Sequence, residues 1–383
     1  MDKPTVQDIF HRFYPAYLDQ YSPSPVQAKV AHNIMNCKTG AYGANVCVCE
    51  DCGFVQIHYN SFRNRCCPMC QAVPKEMWMD ARREDVLDAP YFHLVFTVPD
   101  ILNPVIYSNQ RLLYDALYHA ASSTISELTA DPKHLGAKVG YICILHTWGS
   151  EMNFHPHIHT ILLGGGLASN NQWRDNGENF FLPIRVISKM FRGKYLEELK
   201  RLWEEDKLVF HGTAEKFRNH YTFKELLDSC YGMDWIPHCK KTFNCAQTVI
   251  KYLGKYTHRI AVSNHRIVRM DDDTVTFLVK DYRNEGQWKE LTISGVEFVR
   301  RFLMHVPPRR FVRIRHYGLL CSRTKSQKLT LCRNLLGCKK YLSKLRDMEM
   351  PEILEHLYGI KVCVCKACGG HLGKPQMRMP LRC

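Results

Sequence analysis

The stretch best equipped for chemistry is HPHIHTILLGGG, which runs from His155 to Gly166. Its β-branched and apolar residues predict a strand, in which alternate side chains point to the same side. His155, His157 and His159 therefore share one face. Imidazoles at this spacing can converge on one divalent cation. We predict a metal site on this strand; the alternative is a histidine-rich surface strand without a ligand.

A second reactive group lies further along the chain, in VIKYLGKYTHR at residues 249–259. On a helix, Tyr252 and Tyr256 would lie one turn apart on the same face, with Lys255 beside them. A phenol has a reference pKa of roughly 10 and attacks poorly unless a cation stabilises its oxyanion. Packing explains many tyrosine pairs at this spacing. Together with the histidine strand, however, the pair indicates covalent phosphoryl transfer.

These motifs resemble those of the HUH endonucleases, in which two histidines flank a hydrophobic residue and tyrosines follow. They are more similar to the two-tyrosine rolling-circle transposases of bacterial insertion sequences, the family typified by insertion sequence ninety-one. The similarity rests on four segments in order, which are HTWG at 146–149, HPHIH at 155–159, YLGKYTHRIAVSNHRI at 252–267 and FVRIRHYG at 311–318. A cysteine module near the N-terminus fits the same family.

The resemblance implies a transposase that nicks and rejoins single-stranded DNA at transposon ends and target sites. Mg²⁺ or Mn²⁺ on His157, His159 and a third ligand would polarise the scissile phosphate. Both tyrosines would form 5′-phosphotyrosine intermediates, and Lys255 would stabilise developing charge. Glu151 and His155 both remain candidates for the third ligand. Host replication or helicase proteins are expected partners.

Two other functions fit parts of the pattern. A rolling-circle plasmid replication initiator or a relaxase would share the cleavage chemistry. A zinc-dependent DNA-binding protein without catalysis would share only the cysteine module and the positive charge. The cysteine module and the wording of the tyrosine segment favour the transposase.

Two CxxC pairs near the N-terminus predict a structural Zn²⁺ site. Four thiolates satisfy the tetrahedral coordination of zinc, and the two pairs are close enough in sequence to share one ion. The predicted ligands are Cys49, Cys52, Cys67 and Cys70.

Further cysteines lie towards the C-terminus. Cys365 and Cys368 form another CxxC pair, which two glycines follow. Cys332 and Cys338 could complete a second zinc site with them. Reduced, buried thiols are the alternative.

The composition indicates a polyanionic partner. Lys and Arg number 52 against 37 Asp and Glu, which gives a formal net charge of +15. No long apolar run suits a membrane, so nucleic acid is the expected partner. The candidate DNA contacts are Arg63, Arg65, Arg259, Arg313 and Arg315.

The N-terminal residues lack the apolar core of a signal peptide, and the cysteines occur in CxxC pairs. We therefore expect a reducing bacterial cytoplasm, with the protein associated with the nucleoid. The sequence contains no GxxxxGK[ST] motif, so we infer no ATPase or helicase activity in it.

The histidine strand needs neighbours to position it. Strands at 91–98 and 139–147, with a helix at 112–128 between them, precede the histidine strand. This order predicts an α+β fold with an antiparallel sheet and helices on one face. The resemblance implies a ferredoxin-like or RRM-like HUH domain, whose five-stranded sheet exposes the histidines.

Three parts of the chain follow from these predictions. Residues 1–85 would form a helical segment and a zinc-binding, DNA-binding domain. Residues 86–320 would form the two-tyrosine HUH domain, and residues 321–383 a cysteine-containing tail.

Overall fold

The computed structural model describes residues 3–175, 182–235, 237–243, 249, 254, 261–281 and 285–378. None of the helices in these ranges combines the length and the apolar composition that crossing a bilayer requires. The helices are α1 (Val6–Leu18), α2 (Pro25–Met35), α3 (Ala72–Arg83), α4 (Asn103–Ser108), α5 (Gln110–Ala130), α6 (Ile184–Glu204), α7 (His220–Gly232), α8 (Gly295–Met304), α9 (Lys325–Leu336) and α10 (Met350–Tyr358).

The strands form three antiparallel sheets. They are β1 (Ala44–Val48), β2 (Val55–Tyr59), β3 (Tyr91–Thr97), β4 (Lys138–Trp148), β5 (Phe154–Leu167), β6 (Trp173–Asp175), β7 (His238–Phe243), β8 (Ile267–Met270), β9 (Thr274–Asp281), β10 (Gln287–Ser294), β11 (Ile314–Gly318) and β12 (Gln376–Arg378).

Local sequence signals fix the ends of the first two helices. Thr5 caps α1 and Ser24 caps α2, each in a reciprocal capping box with the residue three positions later. Pro25 opens α2, where its missing N–H costs no helical hydrogen bond.

The central sheet has the strand order β11-β4-β5-β3-β7, and β6 pairs with the end of β5. All its pairings are antiparallel, so the predicted α+β architecture is confirmed. Ile158 and Leu162 of β5 pack into a core with Leu117 of α5 and Phe191 of α6. The helices therefore cover one face of this sheet.

The histidines lie on the other face, because alternate residues of β5 point away from the helical core. The family resemblance implied that this face is open, but in the structure it is covered. Ile161 and Leu163 pack there with Met79 of α3 and Leu329 of α9 in a second cluster. The covering elements come from before and after the sheet in sequence.

The N-terminal helices pack on a different part of the chain. Phe10 and Phe13 of α1 join Phe298 and Phe302 of α8 in a core that includes the β8–β10 sheet. A Cβ at Gly295 would lie 2.2 Å from the Phe13 ring, so this close approach requires glycine.

The C-terminal tail returns to the N-terminal region. β12 pairs with β1, with Ala44 opposite Arg378 and Val46 opposite Gln376. Before reaching β1, the tail crosses α3, where Asp80 accepts hydrogen bonds from Tyr341 Oη at 2.7 Å and Ser343 Oγ at 2.6 Å.

Asp80 is the main polar anchor of this crossing, and it is buried. It also accepts a hydrogen bond from the Leu345 N–H at 2.9 Å. Burial would raise the pKa of Asp80, but the hydrogen bonds from Ser343, Leu345 and Tyr341 outweigh it and lower the pKa. The ionised carboxylate is thus stabilised by the fold.

We predict that Asp80→Asn lowers the free energy of unfolding by about 2–3 kcal/mol, because its amide faces three donors. A carboxylate with a lowered pKa stabilises the fold above its unfolded pKa and loses this effect as pH falls through the folded value. The difference in the free energy of unfolding between Asp80→Asn and the unsubstituted chain should therefore be largest at pH 7 and become smaller at acidic pH. Urea unfolding at several pH values measures it.

The exposed Asp88 provides the control, and Asp88→Asn should leave the urea midpoint unchanged. Equal midpoints for Asp80→Asn and the unsubstituted chain at pH 7 would show that the carboxylate does not anchor the tail.

Candidate active site

Three histidines from two neighbouring strands meet on the covered face of the central sheet. His157 and His159 come from β5, and His146 of β4 lies directly opposite His157. Their ring nitrogens lie within 4.8 Å of one another, and the Nε2 atoms of His157 and His159 are 3.0 Å apart. This histidine triad is the one group of imidazoles in the described residues with metal-binding geometry.

His146 therefore lies beside His157 and His159, in the place for which the sequence suggested Glu151 or His155. Glu151 lies in the turn between the two strands, half-exposed, with its carboxylate 3.9 Å from Lys289 Nζ. His155 Nδ1 lies 3.2 Å from Asp100 Oδ1, at the rim of the site. Neither joins the triad, because cross-strand pairing brings His146 closer than any neighbour in sequence.

The triad is buried, and burial determines its charge. It lowers the pKa of His157 to about 4, with a further contribution from His155. Burial and the neighbouring histidines lower the pKa of His159 well below its ordinary value. Both rings are neutral at pH 7, which is the form that binds metal.

The donor set fits a divalent transition ion. Imidazole nitrogen suits Zn²⁺, Cu²⁺, Fe²⁺ and Ni²⁺, whereas Mg²⁺ and Mn²⁺ are bound mainly by carboxylate and water oxygen. Of the two ions expected from the resemblance, Mn²⁺ is a transition ion and accepts nitrogen ligands more readily than Mg²⁺.

A fourth histidine positions the triad. His93 of β3 places its Nε2 2.9 Å from Nδ1 of His159, and both side chains are buried. A partner on the second ring nitrogen fixes the tautomer and orientation of a ligating histidine. His93 was not identified from the sequence. The signal that could have identified it is a single histidine within a strand of apolar residues.

The predicted nucleophiles Tyr252 and Tyr256, with Lys255 and Arg259, lie outside the described residues. Two residues of this segment are described, one before the tyrosines and one between them. Val249 is buried in the cluster that covers the histidine face, together with Ile161 and Leu163 of β5.

The second described residue is Gly254, which lies between the tyrosines in sequence and contacts α3. A Cβ there would lie 2.0 Å from Met79 Sδ and 3.3 Å from Lys75 Cε. Val249 and Gly254 thus belong to the side of the sheet that carries the triad.

The predicted arginine contacts have different surroundings. Arg63 is exposed, while Arg65 donates to the Phe311 carbonyl at 2.7 Å. Arg313 is partly buried, and burial lowers its pKa.

Arg315, one of the predicted DNA contacts, lies on the helical side of the central sheet. It lies opposite Cys143, which packs in the helical core, so it points away from the triad. There it pairs with Asp115 and lies 4.0 Å from the Tyr118 ring centroid. The face of a residue on β11 depends on pairing with β4, which the sequence alone does not show.

The four cysteines predicted to share one zinc ion lie in two separate groups. Cys67 and Cys70 meet Cys37, with the Cys37 and Cys70 sulfurs 3.1 Å apart. We call these three residues the inner cysteine cluster.

Cys49 and Cys52 instead meet the tail, in a group that we call the terminal cysteine cluster. Its members are Cys49, Cys52, Cys365 and Cys368.

The predicted grouping is wrong because β1 and β2 form a ribbon with the Cys49–Cys52 turn at its far end. A five-residue strand spans about 15 Å, which separates this turn from the inner cysteine cluster at the base. Cys332 and Cys338, the other suggested partners of the tail pair, pack instead in and against the cluster on the histidine face.

Two family models match the chain. The one described as "Putative transposase" matches residues 140–328, which include the histidine triad and both tyrosines. The one described as "Transposase zinc-binding domain" matches residues 9–98, which include the inner cysteine cluster.

Two curated relatives extend the match. "Putative transposase y4qJ" of Sinorhizobium fredii is 39% identical over 369 residues, which are 95% of this chain and 93% of the relative. The "Transposase for insertion sequence element IS801" of Pseudomonas savastanoi pv. phaseolicola is 28% identical over 308 residues, which are 79% and 72% of the two chains.

Among solved structures, the chain is similar to the conjugative relaxase TrwC in complex with oriT DNA. The copper-bound form is 14% identical, with 52% of this chain and 69% of that one covered and a TM-score of 0.26. The metal-free form is 17% identical, with 29% and 44% covered and a TM-score of 0.24. Similarity at this level says nothing about activity.

The two family matches and the near full-length relative agree with the order of motifs in the sequence. This chain therefore belongs to the IS91 family of transposases and carries the zinc-binding domain of that family at its N-terminal end.

Proposed function

We propose that this chain nicks and rejoins single-stranded DNA during rolling-circle transposition, through a 5′-phosphotyrosine intermediate. The observation that carries the proposal is the buried triad of His146, His157 and His159, with the described residues Val249 and Gly254 on the same side of the sheet. Metal ligands and a tyrosine nucleophile close to one another are what such a reaction requires.

His146, His157 and His159 would hold the cation, and His93 would hold His159 in the ligating orientation. When bound, the cation would supply Lewis-acid polarisation of the scissile phosphate. Because the lowered pKa values of His157 and His159 keep these rings neutral before binding, they need not release a proton to accept the cation.

Tyr252 and Tyr256 are the proposed nucleophiles. The phenolic oxygen attacks phosphorus, the bond from phosphorus to the 3′ oxygen breaks, and a proton is transferred to that oxygen. A 5′-phosphotyrosine and a free 3′-hydroxyl result. A 3′-hydroxyl can reverse the step, so rejoining needs no ATP, and two tyrosines allow two covalent strands at once.

The charge of the chain suits the proposed substrate. A net charge of +15 provides sequence-independent attraction to phosphates. Of the predicted contacts, Arg63 and Arg65 are exposed within the segment that matches the zinc-binding domain. Since the sequence has no ATPase motif, we assign strand separation to host replication or helicase proteins.

We predict that His146→Ala reduces nicking by about 100-fold or more, as His157→Ala and His159→Ala should, because each removes a metal ligand. DNA affinity should change little, since it comes from basic contacts. Cleavage of a labelled single-stranded oligonucleotide carrying the transposon end, with Mn²⁺, measures the first quantity. Anisotropy measures the second.

Glu151→Ala and His155→Ala are the matched controls, because neither residue belongs to the triad. Both should keep most of the nicking activity. If Glu151→Ala abolished nicking while His146→Ala remained active, Glu151 rather than His146 would be the third metal ligand, as the sequence suggested.

We predict that His93→Ala weakens Mn²⁺ binding by about 10–100-fold, because His159 loses the partner that orients it. Nicking should fall at low Mn²⁺ and recover at high Mn²⁺. A titration of nicking against Mn²⁺ shows this as a shift of the midpoint with an unchanged plateau. A lowered plateau with an unchanged midpoint would assign His93 a role other than orienting the ligand.

We predict that Tyr252→Phe and Tyr256→Phe each stop transposition, because both strands need a covalent carrier. In a single-cleavage assay at least one of these variants should still form a protein–DNA adduct, and the double variant should form none. A denaturing gel with labelled oligonucleotide detects the adduct.

The exposed Tyr221 supplies the control substitution Tyr221→Phe, which should behave as the unsubstituted chain. Full transposition by either Tyr252→Phe or Tyr256→Phe would show that the enzyme uses only one tyrosine nucleophile. Binding without any adduct in the unsubstituted chain would favour a non-catalytic DNA-binding protein.

A further inference from the structure

The terminal cysteine cluster has the dimensions of a four-thiolate metal site. The sulfurs of Cys49 and Cys368 are 3.5 Å apart, those of Cys52 and Cys365 are 3.7 Å apart, and all four lie within 4.8 Å of one another. Zinc–thiolate bonds of about 2.3 Å in tetrahedral geometry place neighbouring sulfurs about 3.8 Å apart. The distances are too long for disulfides, whose sulfurs lie about 2.05 Å apart.

The first half of the cluster is a turn closed by two backbone hydrogen bonds. The N–H of Gly53 donates to the Cys49 carbonyl at 3.1 Å, and the N–H of Cys49 donates to the Phe54 carbonyl at 2.9 Å. Gly53 has a φ of 71°, which residues with a Cβ rarely adopt.

The second half repeats the same turn. The N–H of Gly369 donates to the Cys365 carbonyl at 3.0 Å, and the N–H of Cys365 donates to the Gly370 carbonyl at 2.8 Å. Gly369 has a φ of 78°. Two CxxC turns of matching geometry, facing each other, are the arrangement of a zinc ribbon.

Backbone N–H groups also point at the sulfurs of the second turn. Ala367 N–H lies 3.4 Å from Cys365 Sγ, and Gly370 N–H lies 3.4 Å from Cys368 Sγ. Such donors stabilise thiolates, which are the form that coordinates zinc.

The apolar contacts around the cluster are too few to hold the two turns together. The local core consists of Cys47, Cys49, Cys365 and Leu372. A core of this size does not offset the entropy of joining segments far apart in sequence, and small modules of this kind use a metal instead.

We propose that the terminal cysteine cluster binds one Zn²⁺ through four thiolates and thereby joins the C-terminal tail to the N-terminal ribbon. This ion is separate from any ion at the inner cysteine cluster. Half of its ligands lie outside residues 9–98, which match the zinc-binding domain of the family. The proposal does not depend on the DNA chemistry, so either can fail alone.

The test is the zinc content of the purified full chain, prepared with a reductant and measured by plasma mass spectrometry. The double variant Cys365→Ser/Cys368→Ser should contain one equivalent less zinc than the unsubstituted chain. Cys49→Ser/Cys52→Ser should lose one equivalent, and the quadruple variant should also lose only one. Losses that add up to two equivalents in the quadruple variant would mean separate sites and would overturn the proposal.

The exposed Cys363, two residues before the cluster, supplies the matched control. Cys363→Ser should keep the full zinc content. Unchanged zinc in Cys365→Ser/Cys368→Ser would also overturn the proposal, and so would a disulfide at these positions in the reduced protein.

A variant that keeps a metal ligand at position 365 shows whether a loss of zinc comes from the lost ligand or from misfolding. Cys365→His should retain the equivalent of zinc, because imidazole can replace one thiolate. In the cobalt-substituted chain, the charge-transfer and ligand-field bands of one tetrahedral site should shift in this variant and stay unshifted in Cys363→Ser. Unshifted bands in Cys365→His would exclude Cys365 as a ligand.

Discussion

The pairing register between β4 and β5 is the constraint on which the active site depends. His146 lies opposite His157, and Ile144 lies opposite His159, so one register supplies all three histidines to one face. A slip of one residue in β5 would turn His157 and His159 into the helical core and bring Ile158 out. The geometry of the histidine triad therefore depends on the alignment of these two strands.

Residues outside the central sheet hold the turn between these strands through hydrogen bonds to its carbonyl groups. Arg266 Nη2 donates to the Ser150 carbonyl at 2.6 Å, and Arg301 Nη1 donates to the Glu151 carbonyl at 2.9 Å. His305 Nε2 lies 3.0 Å from the Met152 carbonyl. Arg266 lies in the turn before β8, Arg301 lies in α8 and His305 follows α8, in the part of the fold on which α1 packs. Elements outside the central sheet thus hold the turn between β4 and β5, and His305 Nδ1 also lies 3.1 Å from Thr147 Oγ1, next to His146.

Features that depend on neighbours in sequence were predictable, and features that depend on pairing were not. The strand character of 154–167 follows from its alternation, and α5 follows from its apolar periodicity. The grouping of His146 with His157 and His159, and the position of Arg315 on the helical side of the sheet, require knowledge of which strands pair. Residue spacing indicated that Cys49 would share a site with Cys67, but the rigid β1–β2 ribbon holds the two apart. The tyrosine segment was recognisable as a motif from its residue types and spacing.

The meeting of Cys52 with Cys365 also sets the order in which the protein can be completed during synthesis. The two residues are 313 positions apart. Synthesis adds roughly 5–20 residues per second, so Cys365 is made on the order of 15–60 s after Cys52. The central sheet can form in that interval, whereas the ribbon keeps two unpartnered thiols. A chain interrupted before the tail would carry the histidine triad with an unfinished N-terminal module, which distinguishes it from the full-length protein.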